Sequence, residues 1–153
     1  MSLDLLHSQA WILSRWAISV GLGTDPNTLG DLEDWSIFTA KEPEGDFIPD
    51  NIITFYDTVG IVDGKNEDFV VTEYFGFQAR VRADAFSYAL GEQRIILIRN
   101  KMDKVNRYKI QIDGIWYIIH TISRGPIFPI GQELEAKSRW GFTLNGTITL
   151  SRL

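Results

Sequence analysis

The 153-residue sequence predicts an α+β domain, a mainly antiparallel or mixed β-sheet with two helices packed on one face. Two stretches, one near the start and one after Asp84, space their apolar residues three or four apart as helices do. Most of the rest alternates apolar and polar residues in runs separated by turn signals such as Asp113-Gly114. The length suits one core, so residues 1 to 153 are expected to form a single domain.

The first helix is predicted over Leu3 to Val20, from Leu6, Leu13, Trp16 or Ala17, and Val20. Ser2 is the expected N-cap, Asp4 suits the first turn, and Gly21 and Gly23 suit a left-handed stop. Trp11 and Trp16 widen its apolar stripe, which requires deep burial against the core or another subunit. Residues 24 to 50 form a long acidic loop punctuated by Pro26, Gly30, Pro43, Gly45 and Pro49, with a short strand at Trp35 to Thr39. Loops of that length are uncommon in compact domains and often carry function.

Asn51 to Thr58 is rich in β-branched and aromatic residues and reads as a central strand. Residues 59 to 70, with Asp63-Gly64-Lys65-Asn66, form a charged hairpin tip. Val71 to Arg82 then alternates, with Phe75, Phe77, Ala79 and Val81 facing the core. Tyr74, Gln78, Arg80 and Arg82 are expected on the solvent or partner face.

A second helix is expected from an Asp84 N-cap to about Asn100, with Phe86, Ala89 or Leu90, and Ile96 or Leu97 inward despite Gly91. Arg94, Arg99, Lys101 and Lys104 gather toward its C-terminal end, where the helix dipole favours cations. Tyr108 to Ile112 and Ile115 to Ile122 make a hairpin around Asp113-Gly114, which suits a type I′ turn. A link follows over Gly125 to Gly131, containing Pro126, Phe128 and Pro129. The last strand, Arg139 to Arg152, sets Trp140, Phe142, Leu144, Ile148 and Leu150 against a face of Arg139, Thr143, Asn145, Thr147 and Thr149.

Charge and composition then bound the function. Residues 1 to 70 carry 13 acids and 3 bases, a net −10, while residues 71 to 153 carry 7 acids and 12 bases, a net +5. An acidic whole argues against general nucleic-acid binding, because phosphate contacts need positive surface. A bipolar chain can present one sign to a neighbour carrying the other. The absence of cysteine excludes disulfides, thiolate metal sites and a cysteine nucleophile. The longest apolar run, Ile115 to Ile119, is too short to span a membrane, so a soluble protein without membrane partners is expected.

Motifs for catalysis, cofactors or metals are missing from the sequence, so no catalytic, cofactor or metal residues are assigned. His7 and His120 read as hydrogen-bonded packed histidines, and Asp31, Glu33 and Asp34 lack the spacing of a calcium loop. Glu42, Glu44 and Asp46 sit on a proline-glycine loop and read as solvated acids. Five Trp, five Tyr and nine Phe exceed what a core this size needs, and aromatics together with Arg favour interfaces. Tyr74, Arg80, Arg82 and Phe128 are therefore the candidate interface residues.

Several strings carry a family resemblance. The N-terminal helix ending Val20-Gly21-Leu22-Gly23, the run Pro49 to Gly60, the strand Gly76 to Ala83 leading into a helix, and the closing Thr147-Ile148-Thr149-Leu150 resemble minor capsid and tail-terminator proteins of long-tailed bacteriophages. The resemblance implies a non-enzymatic virion component of the tail or neck, assembled in the host cytoplasm. It implies a hexameric ring that caps the tail tube and offers the surface for head docking. Its partners would be copies of itself, the tail tube protein and a head-proximal connector, with DNA passing through without specific binding. The acids at Asp31, Glu33, Asp34, Glu42, Glu44 and Asp46, or those at Asp63, Glu67 and Asp68, are then expected to face the channel or a neighbour and repel phosphate. Two alternatives remain: a head-completion or adaptor protein, and a small ligand-binding or hydrolytic domain using His120 with a nearby acid.

Overall fold

A computed structural model of the chain describes residues 7–27, 32–45, 47–65, 71–134 and 137–153, with the backbone alone at 61–65 and 71–73. Ser2, Asp4, Asp31, Asp46, Glu67 and Asp68 lie outside the described residues, as does the side chain of Asp63. The fold is α+β: helices α1 (Gln9–Ser19) and α2 (Tyr88–Asp103) and six strands, β1 (Ser36–Thr39), β2 (Ile52–Lys65), β3 (Val71–Ala83), β4 (Tyr108–Ile112), β5 (Ile115–Gln132) and β6 (Trp140–Arg152). The strands form one sheet in the order β1-β2-β3-β6-β5-β4. Every pairing is antiparallel except β1 with β2, so the sheet is mixed. The strand expected to be central, β2, lies second from one edge.

Helix α1 begins at Gln9 rather than Leu3, because Ser8 accepts the Trp11 N–H at 3.2 Å and so caps it. The Ala10 N–H, another first-turn donor, reaches Asp57 Oδ1 on β2 at 2.9 Å. Its end follows the sequence expectation. Gly21 adopts φ 78°, and the Gly21 and Leu22 N–H groups donate back to the Ile18 and Ala17 carbonyls, the Schellman closure that a left-handed glycine permits. Trp16, Leu13, Ile12, Ala10 and Ala17 are buried against the sheet.

Helix α2 departs further from its expected phase. Its N-cap is Ser87, while Asp84 instead accepts the Phe86 N–H and the Ser87 hydroxyl in a turn just before the helix. The buried stripe is Gly91, Ile95, Ile98 and Met102. Of the residues expected inward, Phe86 is fully exposed, Ala89 and Leu90 are both exposed, and of the pair Ile96 or Leu97 only Ile96 is half-buried. Gly91 explains the shift. A Cβ there would stand 2.8 Å from both Ala83 Cβ and a Phe142 ring carbon, so the glycine is where the helix touches the sheet. Gly91→Val is expected to cost about 1–3 kcal/mol through overpacking despite the better helix propensity of valine, measured as a lower urea midpoint at unchanged m.

The core fills the space between the two helices and one sheet face. Ile53 and Phe55 of β2, Phe77, Ala79 and Val81 of β3, Phe142, Leu144, Ile148 and Leu150 of β6, and Tyr117 and Ile119 of β5 meet the helices there. This alternation matches the sequence reading. The β4–β5 turn has Asp113 at φ 50° and Gly114 at φ 80°, the two positive values a type I′ turn needs. The predicted Gly125 to Gly131 link is instead the second half of β5, whose pairing with β6 continues to Gln132. Register shifts at Arg124/Ile127 and Pro129/Gly131 absorb the prolines, which a strand tolerates at an edge.

Candidate functional site

The opposite sheet face carries the molecule's densest group of buried charge among the described residues. Arg82 and Arg139 are only 3% and 2% exposed. The alternation that put them on the outer face is correct, but the expectation that they meet solvent or a partner is not, because Pro43, Glu44, Pro49, Asp50 and Glu133 hold them against the sheet. Arg82 donates to three backbone carbonyls of that segment: Nη1 to Pro43 at 3.0 Å, Nη2 to Pro49 at 2.9 Å and Nε to Asp50 at 3.1 Å. Arg139 donates from Nε to Glu133 at 2.6 Å and from Nη2 to Glu44 at 3.0 Å, with Asp50 3.6 Å from Nη1. Neighbouring Arg80 faces Glu42 at 3.7 Å and remains partly exposed.

Burial weakens the charged form of Arg82, and the nearby Arg139 adds to that, so its pKa lies below the ordinary arginine value. Burial opposes the Arg139 charge as well, yet hydrogen bonds to Glu133 and Glu44 outweigh it and raise its pKa. The hydrogen bond from Arg139 correspondingly lowers the pKa of Glu133. These charges therefore hold one another in place. The four acids Glu42, Glu44, Asp50 and Glu133 are matched by Arg80, Arg82, Lys137 and Arg139. A pocket of about 80 Å³ opens beside Arg80, Arg82, Ile130 and Trp140, but its arginines are already occupied by carboxylates and carbonyls.

The expected channel-facing or partner-facing acids divide accordingly. Glu42 and Glu44 are compensated within the subunit, Glu44 remaining largely exposed while it bridges two arginines. Glu33 is exposed, and Asp34 accepts a 3.3 Å hydrogen bond from Asn51. Among the interface candidates, Tyr74 is partly buried and Phe128 is 53% exposed. Sequence reasoning missed Asp50 and Glu133 as arginine partners, because nothing local marks a loop acid for an arginine far along the chain.

Among the described residues, His120 forms no hydrogen bond or ion pair with an acid. Its Nε2 lies 2.6 Å from Ser151 Oγ across the β5–β6 pairing, and a register shift at this residue returns Ile122 to the core side, opposite Ile148. His7 links Tyr117 Oη at 2.7 Å with Asp113 at 3.0 Å and fastens the start of α1 to the β4–β5 turn. Among the described residues, no group of His, Asp or Glu is arranged to hold a metal.

The surface offers something more distinctive at the strand edges. β4 pairs with β5 only over Ile115 to Ile119, so from Thr121 to Gln132 the outer side of β5 has no strand beside it among the described residues. Phe128 and Ile130 stand about half exposed on that stretch. At the other side of the sheet, β1 covers β2 only from Ile52 to Phe55. Beyond it, β2 and β3 continue as a ribbon with Val59 almost fully exposed. Uncovered edges present backbone donors and acceptors that another chain can pair with. No family model matches this chain, and no curated protein matches it. Among the described residues, no helix is long and apolar enough to cross a membrane.

Proposed function

We propose that this protein is a structural subunit that assembles through its sheet edges into a closed ring, acting as a tail terminator of a long-tailed bacteriophage. The observation that carries the reading is the pair of uncovered edges, on opposite sides of one sheet, each with exposed apolar side chains. Two different edges make a heterologous contact, and heterologous contacts that close give rings. A two-fold dimer would instead join one patch to itself.

The resemblance of the Pro49 to Gly60 and Gly76 to Ala83 strings to tail terminators supplies the hexamer, the tail tube and the head-proximal connector as partners. In this reading the compensated cluster of Arg82, Arg139, Glu44 and Glu133 is a rigid brace that holds the acidic loop on the sheet. The exposed acid Glu33 is available to face the channel and repel the phosphates of passing DNA.

Capping is the activity to test. Added to the tail tube protein of its own virus during polymerisation, the purified chain is expected to arrest tube growth and to sit at one tube end in electron micrographs. Unchanged elongation, with the chain absent from both ends, would overturn the reading. A chain that instead binds only the portal side of isolated heads would favour an adaptor.

A further inference from the structure

We infer that neighbouring copies meet head to tail across a charged contact, in which the basic β4 side of one subunit receives the acidic corner beside β1 of the next. This rests on the ring reading above and adds which surfaces meet. β1 and β4 are the two terminal strands of the sheet, with four strands between them. At about 4.8 Å per strand they stand roughly 24 Å apart along the sheet, beyond the screening length of roughly 10 Å. Charges on one side therefore do not satisfy those on the other within a subunit. The basic side is Lys104, Arg107 and Lys109, all exposed and, among the described residues, without an ion-pair partner. The dipole of α2 accounts for Lys104 beside its last turn, but not for Arg107 and Lys109, which lie past the helix. The Arg107 N–H donates to the His120 carbonyl, which sets this connection against β5. Lys109 stands opposite Ile118 and Gln111 opposite Trp116, so a half-exposed indole sits one pair along on the same face as the Lys109 side chain. The acids of this region are already engaged: Asp103 pairs with Arg124 at 2.9 Å, and Asp113 lies 3.0 Å from His7 Nε2.

The acidic corner is assembled from segments far apart in sequence. Asp34, exposed just before β1, accepts a 3.3 Å hydrogen bond from Asn51 Nδ2, and the Asp84 N–H donates to Asn51 Oδ1 at 2.9 Å. One buried asparagine side chain thus holds both acids at this corner. Neither acid has an ion-pair partner among the described residues. The two cations nearby are committed elsewhere. Arg94 stacks over Trp35 and donates to the Leu22 carbonyl, while Lys137, which shares a surface pocket with Asp84 and Phe86, is held by Asp50 at 3.9 Å. Phe86 itself is fully exposed. Each surface therefore sets uncompensated charge of one sign beside an exposed aromatic, and the signs are opposite. That suits a heterologous contact and disfavours either surface meeting its own copy. The contact takes Asp34 and Asp84 and leaves Glu33 to the channel.

Exchanging charge between two variants tests the contact. Lys104→Glu/Lys109→Glu and Asp34→Arg/Asp84→Asn are each expected to lower the ring population roughly tenfold at low salt, in solution or at the tube end. Their unfolding midpoints should stay near wild type, because Lys104, Lys109 and Asp34 make no ion pair inside the subunit and asparagine keeps the acceptor that Asp84 offers the Phe86 N–H. Mixed in equal amounts, the two variants are expected to recover rings in which they alternate, as an even-numbered ring allows, and native mass should count both chains equally. Rings of either variant alone at the wild-type level, or no recovery on mixing, would overturn this contact and leave the ring standing. A wild-type chain that stays monomeric alone and leaves tube growth unchanged would overturn both.

Discussion

Arg139→Ala is expected to destabilise the subunit by about 3–5 kcal/mol, because it removes a fully buried side chain and leaves the largely buried Glu133 without its guanidinium. In a domain of this length that corresponds to a fall of roughly 10 °C in the unfolding midpoint, readable by calorimetry. Glu133→Gln retains an acceptor for the guanidinium and should cost only about 1 kcal/mol. The pH dependence separates a salt-bridge origin from simple loss of volume. The native pKa of Glu133 is lowered by Arg139, so its contribution is complete above the ordinary carboxylate value near 4.5 and disappears as pH falls through the lowered native value. The wild-type midpoint should therefore drop steeply on acidification, and Arg139→Ala should flatten that limb. An Arg139→Ala variant with the wild-type acid limb would show that the pair contributes nothing to it.

Phe77→Ala should cost a similar amount, about 3–5 kcal/mol, for a different reason. Phe77 is fully buried at the middle of the sheet and stands directly opposite Gly146 on β6. A Cβ at Gly146 would come within 2.9 Å of the Phe77 ring, so the glycine makes room for the aromatic face. The same Cβ would also strike the Ser123 backbone carbonyl. Gly146→Ala is accordingly expected to destabilise by about 1–3 kcal/mol, and Phe77→Ala should not rescue it, since a backbone oxygen cannot move away as a ring can. Denaturant unfolding of the two single variants and the double variant measures this. Near-complete rescue would mean that the ring alone forbids a side chain at Gly146.

Much of this architecture was legible in the residues. Strict alternation set the core side of β3 and β6, and Asp113-Gly114 set the β4–β5 hairpin, because period and turn chemistry are local properties. Helix α2 was misphased because its contact with the sheet is made by Gly91, a residue with no side chain to add to an apolar stripe. The Gly125 to Gly131 segment reads as a link from composition, yet backbone pairing with β6 carries it as strand. The Arg82 and Arg139 brace was hidden for a third reason. Alternation tells which face a side chain takes, but not that Glu44, 95 positions from Arg139, folds over that face.

The same distance effect alters the meaning of the charge asymmetry. Glu42 and Glu44 of the acidic half pair with Arg80, Arg82 and Arg139 inside the subunit, while among the described residues Lys104 and Arg107 have no ion-pair partner.

Native mass spectrometry of the purified chain across a concentration series, at low and high salt, tests the proposed ring most directly. The ring account predicts a closed sixfold species that grows with concentration and recedes as salt screens the edge charges, without a stable two-fold dimer. A dimer that persists at every concentration and is indifferent to salt would contradict it.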